Sequence, residues 1–305
     1  MKIRWTSIAW SAAYLLLFLS MGTPLIVITA FFMLLPGVVL YTMLSTQSFL
    51  WHVVPVLAIV SILLGPTFIL LAIFFLIPSM LMGYMYKKRA AAFRTVAVGA
   101  AAILIEFLVM LFVSTTLFGF DIASTIEDTI TKTAAPIQGV SGTSLADTLG
   151  WSAEAAQEFS SLTVRLIPFT LIICSLIMAT VAHALAWPTL GSMGITTPKL
   201  APIREWKLPR SLVWYYIVGL LLSLITGYAS QGFLGTILLN LMPMLLFCFM
   251  VQTAGFFFFA AHVRKWNPVI PIFLTILLVF FQPLRIIGII DILFPLREFF
   301  TRTRR

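Results

Sequence analysis

Charge is scarce in this chain. Only 10% of its 305 residues are Asp, Glu, Lys or Arg, against about 25% in soluble domains, so a solvated globular surface is excluded. Acids are scarcer still, ten against nineteen bases, for a net charge of +9. In a soluble protein that excess would point to nucleic acid. Here the bases fall in short clusters at the ends of apolar runs, where they act as topology signals and lipid-headgroup contacts, and no nucleic-acid partner is expected. Cysteine is limited to Cys174 and Cys248, both inside apolar runs, where a free thiol behaves as a small hydrophobe. No HExxH, GxSxG, CxxC or GxxxxGK pattern occurs, so zinc hydrolysis, serine nucleophile chemistry, thiol redox work and ATP hydrolysis lack their parts. No enzymatic activity and no cofactor are expected.

What is present is apolar surface. Hydrophobic residues make up 61% of the chain and the mean hydropathy is +1.09, so the solvent for most of it is lipid. Crossing the hydrocarbon layer takes about 20 apolar residues. Candidate spans cover residues 5–20, 25–44, 50–64, 66–86, 95–118, 166–188, 211–230, 234–262 and 267–296. The expected fold is therefore all-α, a polytopic transmembrane helix bundle of about eight to ten spans. Lys2 and Arg4 followed by an apolar stretch and Ser20-Met21-Gly22 resemble a signal peptide, but the apolar run resumes from Leu25, so a first span is expected instead. The span at 50–64 is short, meets its successor at Gly65-Pro66, and reads as tilted or partly inserted.

The organising stretch is Lys199 to Ser211, KLAPIREWKLPRS. It carries Lys199, Arg204, Lys207 and Arg210 against Glu205, and Pro202 and Pro209 prevent a helix from running through it. Lys and Arg are retained on the cytoplasmic side of a bilayer, so this loop orients every span around it. The N-terminus, residues 87–94, residues 199–210, residues 264–265 and the tail hold sixteen of the nineteen bases. Even numbers of spans separate the first four clusters, which is the parity a cytosolic placement requires. A single last span would put the tail arginines outside; a hairpin at Pro283 returns them to the cytosol and is the expected arrangement. A bacterial plasma membrane with both termini cytosolic follows.

Three regions result: an N-terminal bundle of five spans (residues 1–118), an acidic extracytoplasmic helical segment (119–164), and a C-terminal bundle (165–305) with a basic cytosolic loop at 191–210 and a basic tail. The middle segment holds six of the ten acids. Ile122, Ile126 and Ile130, then Leu145, Leu149, Ala156, Phe159 and Leu162, keep a helical period, so two amphipathic helices broken around Pro136 to Gly142 are expected. They either cap the outer face of the bundle or form a solvated connection.

Few polar residues lie deep in spans. Glu106 stands at the middle of the fifth, in AAILIEFLVM, where a carboxylate costs at least about 2.5–3.5 kcal/mol. Gly99 and Ala102 share its face and let a neighbouring helix approach. Two readings stand: a substrate or ion contact, or an interhelical tie. His183, among Ala179, Ala182 and Ala186, and Asn240 invite the same two readings, and with Glu106 they form the candidate substrate-binding set. His52 and His262 lie near span ends and read as interfacial. Arg285 and Asp291, six residues apart, sit on different faces of one helix, so each needs a partner elsewhere or the interface. Ala9 and Ala13 form a small-xxx-small pair able to dock a helix. With Arg204, Lys207 and Arg210 they are the candidate partner-binding residues, beside the lipid bilayer itself.

Three passages carry a resemblance: REWKLPRSLVWYY (Arg204 to Tyr216), GPTFILLAIFFLIPSMLMGYMYKKR ending at Arg89, and IIGIIDILFPLREFF. Together they resemble the YybS-like family of multi-pass membrane proteins of Gram-positive, often spore-forming, bacteria, which implies a multi-pass bacterial membrane protein and no particular mechanism. The N-terminal half is also similar to the substrate-binding S components of energy-coupling-factor transporters, which dock a coupling subunit through an AxxxA pattern on the first helix. Ala9 and Ala13 occupy that pattern, so the resemblance implies a coupling subunit or ATPase module as partner. The chain is longer than such proteins and carries an acidic outer segment and further spans, so their vitamin-binding residues do not transfer. Two functions are expected: small-molecule or ion binding and transport, or a membrane scaffold recruiting a partner through basic cytosolic loops.

Overall fold

A computed structural model describes residues 2–138, 153–227, 232–294 and 296–302. Among them are α-helices and short 3₁₀ turns and no strand. Among the described residues, every apolar run read from the sequence is mainly helical. In chain order the helices are α1 (Lys2–Ser20), α2 (Ile26–Phe32), α3 (Leu34–Met43), α4 (Thr46–Leu64), α5 (Phe68–Lys87), α6 (Ala92–Leu117), α7 (Ile122–Gln138), α8 (Ala153–Arg165), α9 (Ile167–Ser192), α10 (Ser211–Thr226), α11 (Phe233–Arg264), α12 (Val269–Phe280), α13 (Arg285–Leu293) and α14 (Leu296–Arg302). Six segments are long and apolar enough to cross a membrane, α2 and α3 counting as one. A seventh forms if the bent pair α12 and α13 is one span, and α1 and α10 supply two further apolar helices of 16 residues each.

The chain divides into two compact units: Met1–Asp121 with Thr170–Leu200, and Ile122–Phe169 with Ala201–Arg305. The core of the first is a cluster that includes Tyr14, Phe18, Leu40, Phe49, Phe75 and Ile103. Its helices end where the sequence changes chemistry. Ser45 caps α4 by accepting from the Ser48 N–H (3.3 Å), and α4 stops at Gly65, whose φ of 102° breaks the helix ahead of Pro66. α5 stops at the basic run Lys87 to Arg89. Between α5 and α6, Gly99 leaves room for Met82: a Cβ at Gly99 would lie 2.6 Å from its sulfur. Close approach at a small residue is the usual basis of helix packing in lipid, where no hydrophobic force separates helix from tail. His52 joins α4 to α1, its Nε2 lying 3.0 Å from Ser7 Oγ.

In the second unit α7 and α8 are the two amphipathic helices of the acidic segment. Ile122, Ile126 and Ile130 are the half-buried side of α7, between exposed polar neighbours. α7 continues through Pro136 to Gln138; Gly142, Leu145 and Leu149 lie outside the described residues, as do Gln231, Arg304 and Arg305. The long α11 ends with His262 and Arg264 in its last turn and a left-handed Lys265; the Arg264 charge complements the negative end of the helix dipole.

The segment after α11 folds back on it. α12 and the stretch from Gln282 to Leu293 meet at 118°, about a 3₁₀ turn at Gln282–Leu284 that contains Pro283. α13 lies tightly along α11: a Cβ at Gly288 would fall 2.5 Å from Thr253 Oγ1. The chain then reaches the Arg264 end of α11 again, where the Phe300 ring of α14 lies 5.3 Å from Phe256 and 5.4 Å from the Arg264 guanidinium. The bent pair is a broken span or a re-entrant loop, with Arg285 beside Thr253 and Ile292 packed with Leu245 and Phe249.

Candidate functional site

Glu106 closes the buried face of α6, one turn beyond Ala102 and Ile103, and is 9% exposed. Its neighbour Phe107 packs on Phe74 of α5 with ring centroids 4.9 Å apart, so the carboxyl sits at an aromatic level of the helix pair. Among the described residues Glu106 has no hydrogen-bond or ion-pair partner. His183 belongs to the same unit and is 2% exposed; its Nδ1 lies 2.6 Å from the Tyr86 hydroxyl of α5, and the two rings stack at 5.7 Å. Its Nε2 is buried without a partner.

Asn240 lies in the other unit. Its Oδ1 accepts from the Phe169 N–H and its Nδ2 donates to the Arg165 and Thr236 carbonyls, each at 2.8 Å. Arg165 ends α8 and Ile167 begins α9, so this one amide satisfies backbone groups at both helix ends, which otherwise stay unpaired. Glu106 and His183 therefore share a unit, while Asn240 works at a helix junction of the second.

On α1, Ala9 is exposed and Ala13 half-buried, whereas Ser7, Tyr14 and Phe18 face the core. Of the small-residue pair only Ala9 is fully on the exposed side of α1.

The basic loop is where polar side chains converge. Between Leu200 and α10 it makes one 3₁₀ turn, Ile203–Glu205, and the Trp206 indole donates to the Ala201 carbonyl at 2.8 Å. Two side chains from the bundle fix it. Arg297 of α14 donates through Nη1 to the Arg204 carbonyl (2.6 Å) and through Nη2 to the Trp206 carbonyl (2.9 Å). Gln252 of α11 accepts from the Leu208 N–H at 3.0 Å. Both are anchored on Asp291 of α13, which receives Arg297 Nη2 at 2.9 Å and Gln252 Nε2 at 2.6 Å. The Arg297 and Asp291 side chains are 6% and 1% exposed. A guanidinium so deeply buried is stable only when its charge and donors are met; here four of its five donors go to a carboxylate and two carbonyls.

The clamp leaves the loop's other charges facing outward. Lys207 and Arg210 are exposed. Arg204 lies 3.3 Å from His262 Nδ1 through Nη1 and 3.8 Å from Glu205; because a guanidinium only donates, that His262 nitrogen is the acceptor. Arg204, Lys207, His262 and Arg297 line a cavity of about 500 Å³ with Glu205 and Glu298. A smaller one of about 180 Å³ reaches Lys207, Arg210, Gln252 and Asp291. Among the described residues no three His, Cys, Asp or Glu side chains gather where they would hold a metal ion.

Sequence reasoning reached the loop and passed over what holds it. Asp291 stood out as an acid in need of a partner. Its partner is also six residues away, but Arg297 lies beyond the helix break at Phe294, so the one-helix face argument that separates Asp291 from Arg285 does not apply to it. Gln252 carried a usable signal, an amide deep in an apolar run, of the same kind that singled out Asn240.

Residues 11–292 match the model of the family described as predicted membrane protein (DUF2232). The chain is also 29% identical over 137 residues to "Uncharacterized protein YybS" of Bacillus subtilis (strain 168), the match covering 44% of this chain and 44% of that one. The chain thus aligns with less than half the length of that relative. No solved structure matches.

Proposed function

We propose that this chain, which belongs to the DUF2232 family of predicted membrane proteins, is a membrane-embedded docking protein whose basic loop recruits a partner. The observation that carries this reading is the Arg297 clamp. A loop serving only as a topology signal needs positive charge and no fixed shape. This one is held by three bundle-to-loop hydrogen bonds of 3.0 Å or less, which preorganises Arg204, Lys207 and Arg210 for recognition. The parity of the basic clusters supports a cytosolic loop and cytosolic termini in a bacterial plasma membrane. The partner is a cytosolic or membrane protein with an acidic face; a coupling subunit or ATPase module would qualify, with Ala9 and Ala13 as a second contact on α1.

A second reading, binding and transport of a small molecule or ion, is favoured by Glu106, a nine-tenths buried carboxyl without a partner among the described residues. Intramembrane carboxyls of this kind usually face a functional path. His183 would contribute to it; Asn240 is occupied at a helix junction.

One experiment separates the readings. Wild type, the Lys207→Ala/Arg210→Ala double variant and Glu106→Gln are extracted in mild detergent, and co-purifying proteins and small molecules are quantified by mass spectrometry. Docking predicts a stoichiometric protein partner, lost at least tenfold from the double variant and retained by Glu106→Gln. The same partner level in all three refutes the loop assignment. A small molecule lost only from Glu106→Gln establishes the transport reading instead.

A further inference from the structure

We infer that the cavity between the start of α5 and the end of α6 binds an apolar cation, an ammonium or similar group on a hydrophobic body, with Glu106 as its counter-ion. The inference rests on the second reading above, a small-molecule or ion site at Glu106, and names the class of molecule that the site takes.

The cavity is the first observation. Its volume is about 330 Å³, and its walls include Phe68, Leu71, Met110, Ser114, Phe118 and Phe120. That is the size and apolar character of a small-molecule site. The chain after α6 completes it by folding back. Gly119 takes a φ of 59°, in the left-handed region that favours glycine, and the Phe120 N–H returns to the Ser114 carbonyl at 3.0 Å. The turn keeps Phe118 and Phe120 beside the last turns of α6, on the cavity rim.

The second observation is where Glu106 stands. Glu106, Met110 and Ser114 recur every four residues, so they share one stripe of α6. A helical side chain leans towards the N-terminus, so Met110 lies over the turn that carries Glu106 and forms a floor between carboxyl and cavity. Met110 is half-buried, and an unbranched thioether re-packs readily around a ligand. Glu106 itself is 9% exposed and has no hydrogen bond or ion pair among the described residues.

The third is the distribution of charge. From Trp5 to Tyr86, from Thr95 to Asp121 and from Thr170 to Pro198 the sequence contains no Lys or Arg. The bases next to α5 and α6 gather at the opposite end, from Lys87 to Arg94, and Arg94 is about 18 Å along the helix from Glu106. The histidines of the unit are engaged elsewhere, His52 at Ser7 and His183 at Tyr86. A positive countercharge for Glu106 can therefore come only from a bound molecule. The walls select its form. Aromatic rings attract a cation, and the aliphatic side chains between them favour an apolar body over a hydrated ion.

The probe is radiolabelled benzyltrimethylammonium, a permanent cation on an apolar body, measured by equilibrium dialysis against the full chain in mild detergent. Saturable binding should fall at least tenfold in Glu106→Gln. It should fall as far in Met110→Trp, which fills the floor and leaves the carboxyl intact. Neopentylbenzene, the uncharged isostere, and phenylacetate should not compete. Tetramethylammonium, which lacks the apolar body, should compete at least tenfold more weakly than unlabelled probe. No saturable binding, or equal binding by wild type and Glu106→Gln, overturns the inference. So does displacement by sodium or tetramethylammonium as effective as by unlabelled probe, although Glu106 then still binds an ion and the wider reading stands. Failure of that wider reading is seen separately, as a Glu106→Gln variant that keeps every small molecule co-purifying with wild type.

Should Glu106→Gln fail to fold, wild type alone decides. Dicyclohexylcarbodiimide modifies carboxyls in apolar surroundings, and the Glu106 peptide it labels is quantified by mass spectrometry. Benzyltrimethylammonium should slow that labelling at least fivefold, and neopentylbenzene should not. No labelling of Glu106, or labelling that the cation leaves unchanged, overturns the inference.

Discussion

Replacing Arg297 by Met keeps an apolar stem of similar length and removes every bond the guanidinium makes. Two of those bonds, to the Arg204 and Trp206 carbonyls, hold the loop; the others neutralise Asp291, whose side chain is 1% exposed. Breaking one partner of a buried pair costs about 3–5 kcal/mol, mostly because the remaining charge stays buried. A charged donor to a carbonyl is worth about 1.5–3 kcal/mol; since these bonds share one guanidinium, the figures do not add. If about 3 kcal/mol falls on loop release, the open population rises by about two orders of magnitude. Trypsin reads that population where reclosing outruns cleavage, and Arg204, Lys207 and Arg210 are all in the loop. We expect Arg297→Met to melt earlier in detergent and to be cut in this loop about a hundredfold faster. The double variant Asp291→Leu/Arg297→Met removes the stranded charge, so its melting temperature should recover while loop cutting stays fast, because the two carbonyls still lack their donor. Arg297→Met that melts and is cut like wild type would refute the clamp. A double variant that regains both properties would show that global stability, and not the clamp, protects the loop.

Gly288→Val should lift α13 from α11, since a Cβ at Gly288 already falls 2.5 Å from Thr253 Oγ1; overpacking of this kind costs about 1–3 kcal/mol, read as a lower melting temperature in detergent. Asn240→Leu removes three bonds of 2.8 Å at the α8–α9 junction. Its cost should exceed the average of about 0.6 kcal/mol for an interhelical hydrogen bond in a membrane protein. Faster hydrogen exchange at the Phe169 amide is the measurement that checks it.

Hydropathy made the helices legible because lipid leaves the backbone no alternative: a run of about 20 apolar residues must satisfy its own N–H and C=O groups. For the same reason Pro283 was readable as a break, and the chain bends by 118° there. The period of Ile122, Ile126 and Ile130 identified the buried side of α7 by the same logic of faces. Grouping was not readable. Residues 170–200 belong with the first unit and the chain from Ala201 with the second, but hydropathy treats each span alone and says nothing of which span meets which. The break at Met33 between α2 and α3 left no mark either, because both sides of it are equally apolar.

The polar residues divide along a different line. Depth in an apolar run ranks Glu106, His183, Asn240, Arg285 and Asp291 together, since each is costly there. What separates them is pairing, which depends on contacts far apart in the chain. Asn240 is spent on backbone 71 and 75 residues away. Asp291 reaches Gln252 at a separation of 39 and Arg297 across a helix break. Arg297 looked like one more base of a topology-setting tail and is instead buried and bonded to Asp291 and two loop carbonyls, while the half-buried Arg285 side chain has no partner among the described residues. A charge that is both buried and satisfied explains a shape, and by that criterion the clamp of Arg297, Asp291 and Gln252 accounts for how the basic loop is held, whereas Glu106 is the buried acid whose place no contact among the described residues explains.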